Sequence, residues 1–491
     1  MSLSANGAHS AGKAIRLRKL TRYEISLAVL FILTLPLCNP WARGDGIGYY
    51  AFARSMLIEH RLDFANDWLH GNASFRMGRI DPDGNINAGQ YTSTGHLNNH
   101  FSIGPAILWS PFLILAHTGV LLYDHFGGGI AADGFSHPYL VAMALGTAVY
   151  GFLAVLISFS LARRFVPERW AFLAALGIWF GSSLPVYMYF NPSWSHAQAA
   201  FAVALFIWYW IRTRVDRSRI QWATLGAVGG LMMDVYYINA VLLLIPLCES
   251  AGLLWSAFRN NRPQPIGASV LNNLAFCGAI FLVFLPTLIT KKIIYGSYLN
   301  FGYTERWFWK SPAFFRVCFS SQHGLFSWTP ILALAVVGLV FLRERDRTVA
   351  LSLLMAFVLY VYAIGCYQDW HGISSYGSRF FVALTAVFVI GLAAFFDWFA
   401  RAWQERPAGV SAACATAILV LWNFGLIFQW GMHWIPERGP VSWRSAAHNQ
   451  VAIVPEQAAS ILKAYLTGRG PLMDRIEQRD VQELRQSQGA K

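Results

Sequence analysis

Charge is what this sequence has least of. Asp, Glu, Lys and Arg make up 13% of its 491 residues, against 56% hydrophobic residues and a mean hydropathy of +0.41. A soluble domain carries roughly 25% charged residues, so a soluble fold is excluded and an all-α polytopic membrane protein is expected. No two of the six cysteines (Cys38, Cys248, Cys277, Cys318, Cys366, Cys414) are spaced as CxxC. Most lie in or beside apolar runs, where a thiol behaves as a small hydrophobe. Neither a disulfide framework nor a metal cluster is therefore expected. No cleavable signal peptide is evident: the N-terminal region is polar and basic through Arg22, and the first apolar run lacks a clear small-residue cleavage site. That run reads as a retained first span. No internal repeat is obvious. The net charge of +13 would suggest nucleic acid in a soluble protein, but here the basic residues collect in short loops between apolar runs, where topology accounts for them. No nucleic-acid partner is expected.

What the chain does have is apolar runs of about 20 residues, enough to cross a hydrocarbon core, along its whole length. Lys13, Arg16, Arg18, Lys19 and Arg22 precede the first run and place the N-terminus in the cytoplasm. Later basic clusters follow other runs: Arg163 and Arg164; Arg212, Arg214, Arg217 and Arg219; Arg259 and Arg262; Arg343, Arg345 and Arg347; Arg401 and Arg406. All fall on one side only if the run 103–123, interrupted by Gly104-Pro105 and Ser110-Pro111, does not cross. That run is read as helices lying in the outer interface or re-entering it. About eleven spans result, near 25–38, 139–161, 170–190, 195–211, 222–234, 237–256, 270–290, 325–342, 348–365, 379–400 and 411–431. The organisation is a cytoplasmic segment 1–24, a transmembrane domain 25–431 with a long outer loop 40–138, and an outer tail 432–491. The tail ends in a polar, helix-compatible stretch too small for a catalytic domain.

Ionisable residues gather at the outer ends of the spans, where they are costly and usually mark a site. The stretch WARGDGIGYYAFARSMLIEHRLDF follows the first span and holds Asp45 in a Gly-Asp-Gly turn, with Arg54 and Asp63 after it. A carboxylate there can act as a base on a substrate from the aqueous side, although Asp-Gly is also ordinary turn chemistry. Further candidates for substrate binding are His100, Asp133, His196, the pair Lys291 and Lys292, and Trp370, His371 and Arg379 in and after CYQDWHGISSYGS. Each also has a plainer reading. Arg54 can snorkel, His100 can cap a helix, Asp63 and Asp133 can be loop acids, and His196 can be a satisfied core histidine. The lysines can face headgroups, and Trp370 and His371 can be interface residues. Asp234, in GGLMMDVYYIN, can hydrogen-bond at a hairpin turn.

The segment RGDGIGYYAFARSML after a first span resembles the GT-C superfamily of integral-membrane glycosyltransferases, nearest the protein O-mannosyltransferase and aminoarabinose-transferase branch and its bacterial relatives. The resemblance covers most of residues 20–400 and sets Asp45 where the family keeps its catalytic acid. Family members often carry a second acid beside it; Gly46 stands there instead, which weakens any metal or paired-carboxylate site. HFSIGPAILW puts His100 at the head of the family's lipid-phosphate motif, without its double proline, and AADGF echoes a later element at Asp133. Where some members carry an acid, this chain has His196. The segments SSQHGLFSWTP and DWHGISSYGSRFF resemble bacterial relatives without an assignable role. The resemblance implies a polyprenyl-phosphate sugar donor and a glycan, lipid or protein acceptor. Asp45 would act as general base in an inverting transfer on the periplasmic side of a bacterial inner membrane. The leaving phosphate needs positive charge, which Arg54, His100, Lys291, Lys292 or Arg379 would supply in place of a metal, and no cofactor is implied. The rival functions are a transporter or flippase of lipid-linked saccharides, a late-loop ligase or polymerase, and a non-catalytic assembly subunit.

Overall fold

The computed structural model describes residues 19–259 and 263–489. Lys13, Arg16, Arg18 and Arg262, used above for orientation, lie outside them. The regular elements among the described residues are all helices, with isolated β-bridges but no named strand. The longer helices are α1 (Arg22–Thr34), α2 (Asp45–Ile58), α3 (Gly104–His125), α4 (His137–Ala162), α5 (Glu168–Gly181), α6 (His196–Thr213), α7 (Arg219–Val235), α8 (Leu244–Arg259), α9 (Pro263–Tyr295), α10 (Ile331–Phe341), α11 (Arg347–Cys366), α12 (Thr385–Ala402), α13 (Glu405–Gly431), α14 (Trp443–Thr467) and α15 (Arg469–Gly489).

Local sequence explains where several begin. Thr21 caps α1 in a capping box: its hydroxyl accepts the Glu24 N–H at 3.3 Å, and the Glu24 carboxylate accepts the Thr21 N–H at 2.8 Å. Ser218 and Gln221 repeat the device at α7. Among the described residues, seven helical stretches are long and apolar enough to cross a membrane. Six match expected spans, and the seventh is α3. The expectation of a broken run over 103–123 is corrected here. Pro105 sits in the first turn of α3, where a missing N–H costs nothing, and Pro111 is carried inside one continuous helix of 22 residues. Conversely, the expected spans 170–190 and 325–342 are broken. Ser182 and Ser183 interrupt the first, after which the helix resumes and passes into a π-turn at Val186–Phe190, and Thr329-Pro330 interrupts the second.

The centre of the bundle is α12, buried on almost every face and packed against α4, α5 and α10. Gly338 on α10 faces Gly391 on α12 so closely that a Cβ at 338 would lie 1.8 Å from the Gly391 carbonyl oxygen. Small residues let two apolar helices meet backbone to backbone, the usual basis of helix association in lipid. The basic clusters converge at one end of the bundle, where acids meet them. Arg163 pairs with Glu24 and Glu168, Arg214 with Asp346, and Arg345 and Arg401 with Asp397. The opposite helix ends, at Asp45, His137, His196 and Arg379, carry the candidate site.

Candidate functional site

The site is built around the start of α2. Gly44 adopts φ +54°, which glycine takes without strain, and turns the chain so that Asp45 opens the helix, where the helix N-terminus favours a carboxylate. The loop 191–194 packs directly on this turn. The Trp194 indole N–H donates to the Arg43 carbonyl at 3.0 Å, and a Cβ at Gly46 would lie 1.9 Å from Ser193 Oγ. A side chain at 46 overlaps Ser193, so a second acid beside Asp45 does not fit unless α2 and this loop part. Arg379 Nη1 donates to Asp45 Oδ2 at 2.8 Å, and its guanidinium lies 4.5 Å above the Trp194 ring. Asp45 Oδ1 takes no hydrogen bond from the described residues.

Two chambers meet at this ion pair. The larger, about 790 Å³, has aromatic and apolar walls including Tyr49, Tyr236, Tyr237, Phe284, Phe301, Tyr303 and Trp307. The smaller, about 300 Å³, is polar and lined by Arg43, Ser74, Asn191, Glu437, Arg438 and Asp480 among others. Asp45, Arg79, His100, Phe101, Gly372, Ile373 and Arg379 line both. A single carboxylate thus faces two compartments of different chemistry.

The remaining sequence candidates divide. His100 lines both chambers, its ring tilted against Phe101 at 4.1 Å and near Tyr303 at 4.9 Å. Burial pushes its imidazole down to about 4, so it stands there as a neutral ring rather than a cation. His196 lines the larger chamber, edge-on to Tyr187 and Tyr236, with Nδ1 unpartnered. Lys291 is buried and donates to the carbonyls of Asn99 (3.0 Å) and Phe101 (2.8 Å). It therefore anchors the backbone on both sides of His100 and lines neither chamber.

Six more candidates lie away from both chambers. Arg54 lines neither chamber: its Nε and Nη2 grip both oxygens of Asp67 at 2.6 and 2.7 Å, Nη1 reaches Glu59 at 2.7 Å, and the group stacks 4.4 Å from the Phe135 ring. Its donors are consumed in fastening α2 to the short helix Ala65–His70. Burial alone would raise the Glu59 carboxyl, but hydrogen bonds from Arg54, Asn66 and Arg61 outweigh it and hold it down at about 2. Asp63 and Asp133 are loop acids away from both chambers; Asp63 accepts the Ala65 N–H at 3.0 Å, and Asp133 those of Phe135 and Ser136 at 2.8 and 2.9 Å. Lys292 is turned out, donating to the Gly296 carbonyl at 2.7 Å. Trp370 packs on the main core, and His371 accepts the Ile373 N–H on Nδ1 at 3.0 Å. These last two shape the loop 366–378 without facing either chamber.

The structure also shows groups that sequence reasoning passed over. Arg79 lines both chambers and rests 4.2 Å above the Phe75 ring. Asp369, the neighbour of the two residues chosen in CYQDWHGISSYGS, lines the larger chamber together with Tyr367 and Ile373 of the same loop. The segment SSQHGLFSWTP supports the same loop: the His323 Nδ1–H donates to the His371 carbonyl at 2.7 Å. The tail is more than an appendage. Arg43 pairs with Asp480 of α15, and Glu477 accepts from Asn72 at 2.8 Å, so α15 forms one wall of the polar chamber.

No family model and no curated protein matches this chain. Among solved structures, ArnT from Cupriavidus metallidurans in the apo state superposes with a TM-score of 0.46 at 14% identity, covering 91% of this chain and 77% of that one. The oligosaccharyltransferase AglB from Archaeoglobus fulgidus, in complex with an inhibitory peptide and a dolichol-phosphate, gives 0.44 at 13% identity, covering 93% of this chain and 56% of that one. The apo form of the Archaeoglobus fulgidus oligosaccharyltransferase gives 0.43 at 13% identity, again over 56% of its length. Likeness of this degree carries no argument about activity, which has to come from the residues and their geometry.

Proposed function

We propose that this chain is a membrane glycosyltransferase. It moves a sugar from a polyprenyl-phosphate donor to an acceptor hydroxyl, with inversion, on the periplasmic side of a bacterial inner membrane. The observation that carries the reading is that Asp45 lines both an aromatic chamber and a polar one. The motif around Asp45 supports it independently.

In this reading the donor occupies the larger chamber. Tyr49, Tyr236, Tyr303 and Trp307 offer faces for a sugar ring, and Phe284 and Phe301 offer apolar surface for the first isoprene units. The acceptor hydroxyl enters the polar chamber and hydrogen-bonds to Asp45 Oδ1. As its oxygen attacks the anomeric carbon, the proton passes to the carboxylate, the bond to the phosphate oxygen breaks, and the electron pair leaves on the phosphate. A general base must stand within hydrogen-bond reach of that proton. The phosphate is a good leaving group and asks for positive charge rather than a proton. Arg79 and Arg379 are the guanidinium groups that face both chambers, and they replace Arg54 and the two lysines in that role. Arg379 also holds Asp45 Oδ2, which fixes the direction of the second oxygen.

Purified protein in lipid nanodiscs, given radiolabelled polyprenyl-phosphate sugars and an envelope glycolipid fraction, should release free polyprenyl phosphate and label an acceptor with inverted configuration. Passage of intact donor across sealed proteoliposomes without release of phosphate would overturn the enzyme reading in favour of a flippase.

A further inference from the structure

The turn after α13 carries His433, at φ +55°, and Glu437 one helical turn later in sequence. Asp480 and Glu483 come from α15. The four side chains converge at the rim of the polar chamber. His433 Nδ1 lies 2.9 Å from Glu483 Oε1, so the tautomer that donates from Nδ1 leaves a lone pair on Nε2. That Nε2 lies 3.0 Å from Asp480 Oδ1 and 3.8 Å from Glu437 Oε1. The side chains of His433, Asp480 and Glu437 are 4%, 5% and 6% exposed. Neither His433 Nε2 nor Asp480 Oδ1 makes a hydrogen bond of acceptable geometry. Two buried polar atoms thus stand 3.0 Å apart with no hydrogen bond of good geometry between them.

A metal ion satisfies all three at once. One potential ligand atom from each of His433, Glu437 and Asp480 lies within 4.8 Å of the others. Donors roughly 2.1 Å from a common ion stand roughly 3.0–3.5 Å apart; the 3.0 Å separation fits, and the 3.8 Å one closes with a small rotation of the Glu437 carboxylate. Charge points the same way. The carboxylates of Glu437, Asp480 and Glu483 surround the imidazole, and Arg43 is the guanidinium that pairs with them among the described residues. An imidazole nitrogen with carboxylate oxygens suits a first-row ion such as Zn²⁺ rather than Ca²⁺. Glu483 supplies the outer-shell acceptor that ligating histidines almost always have.

We propose that His433, Glu437 and Asp480 bind a divalent transition-metal ion that clasps α15 to the turn after α13 and closes the polar chamber. The proposal does not depend on the reaction. Asp480 Oδ2 also holds Arg43, two residues before Asp45, so the clasp bears on the position of that turn.

The test uses the full chain purified in detergent and stripped with chelator. Zinc titrated against a chromophoric chelator should bind as a single tight equivalent, and Co²⁺ in its place should give visible d–d absorption. Zinc should also slow tryptic cleavage after Arg469. His433→Gln and Asp480→Asn should abolish tight binding, whereas Glu483→Gln should weaken it by about 10–100-fold. If the stripped wild-type protein takes up no zinc, shows no cobalt spectrum and is cleaved equally fast with and without metal, the proposal is overturned, whether or not the variants fold. Unchanged binding in folded His433→Gln overturns it equally.

Discussion

Adding one methyl group at Gly46 tests whether steric fit with the loop 191–194 sets the position of Asp45. A Cβ at this position lies 1.9 Å from Ser193 Oγ, 2.4 Å from Ser193 Cβ and 3.0 Å from the Ser193 carbonyl carbon. Carbon contacts are comfortable at about 3.5–4.0 Å, so α2 and the loop must part by more than an ångström. Ser193 is fully buried, which leaves it no open space to retreat into. Overpacking of this kind costs about 1–3 kcal/mol. The larger effect should fall on rate, because an error of about 1 Å in a catalytic group can cost about 10²-fold. Gly46→Ala is therefore expected to fold with a lowered Tm and to lose far more turnover than stability. Gly46→Ala combined with Ser193→Gly removes the two shortest contacts and leaves the carbonyl carbon at 3.0 Å. It gives up only a long 3.4 Å hydrogen bond from the Arg43 N–H. The double variant should recover most of both losses. Normal turnover in Gly46→Ala, or no recovery in the double variant, would refute the reasoning.

Other outcomes follow from the same geometry. Arg54→Leu strands Asp67 without its partner in a buried site and should destabilise the protein by about 3–5 kcal/mol in thermal unfolding; the fraction that folds should bind donor normally, and a selective loss of donor affinity would restore Arg54 to the site. Arg79→Gln should weaken binding of polyprenyl phosphate by about 1.5–3 kcal/mol, the range for hydrogen bonds to charged groups, and unchanged affinity by isothermal titration would remove it from the phosphate's surroundings. Lys292→Gln should change neither stability nor donor affinity by more than about 0.5 kcal/mol. Lys291→Met should weaken donor binding by releasing the backbone beside His100, and equal behaviour of the two lysine variants would count against this division.

Much of the helical scaffold was legible in the sequence, because a long apolar run carries its own evidence. Breaks within runs were less legible. Pro111 stays inside α3, whereas Thr329-Pro330 ends a helix, and only the surrounding packing separates the two outcomes. Asp45 was legible because its turn, its position after the first span and its aromatic sequel lie together. The burial of Arg54 was not legible even though Glu59 and Asp67 are near in sequence, because an outward cation and a buried one share the same local pattern until the fold closes. Arg79 and Asp480 gave no local signal at all. Arg43 and Asp480 stand 437 residues apart, and nothing short of the tertiary fold brings the tail onto the first loop.

The central claim is that Asp45 accepts the acceptor's proton, and Asp45→Asn tests it most directly. The asparagine keeps the size of the side chain and an oxygen to accept from Arg379, but has no basicity. With donor affinity and Tm measured on the same preparation, single-turnover transfer is expected to fall by about 10²-fold or more, the scale of a lost general base, while donor binding persists. Near-normal transfer by folded Asp45→Asn would contradict the account and move the base to another group lining the chambers.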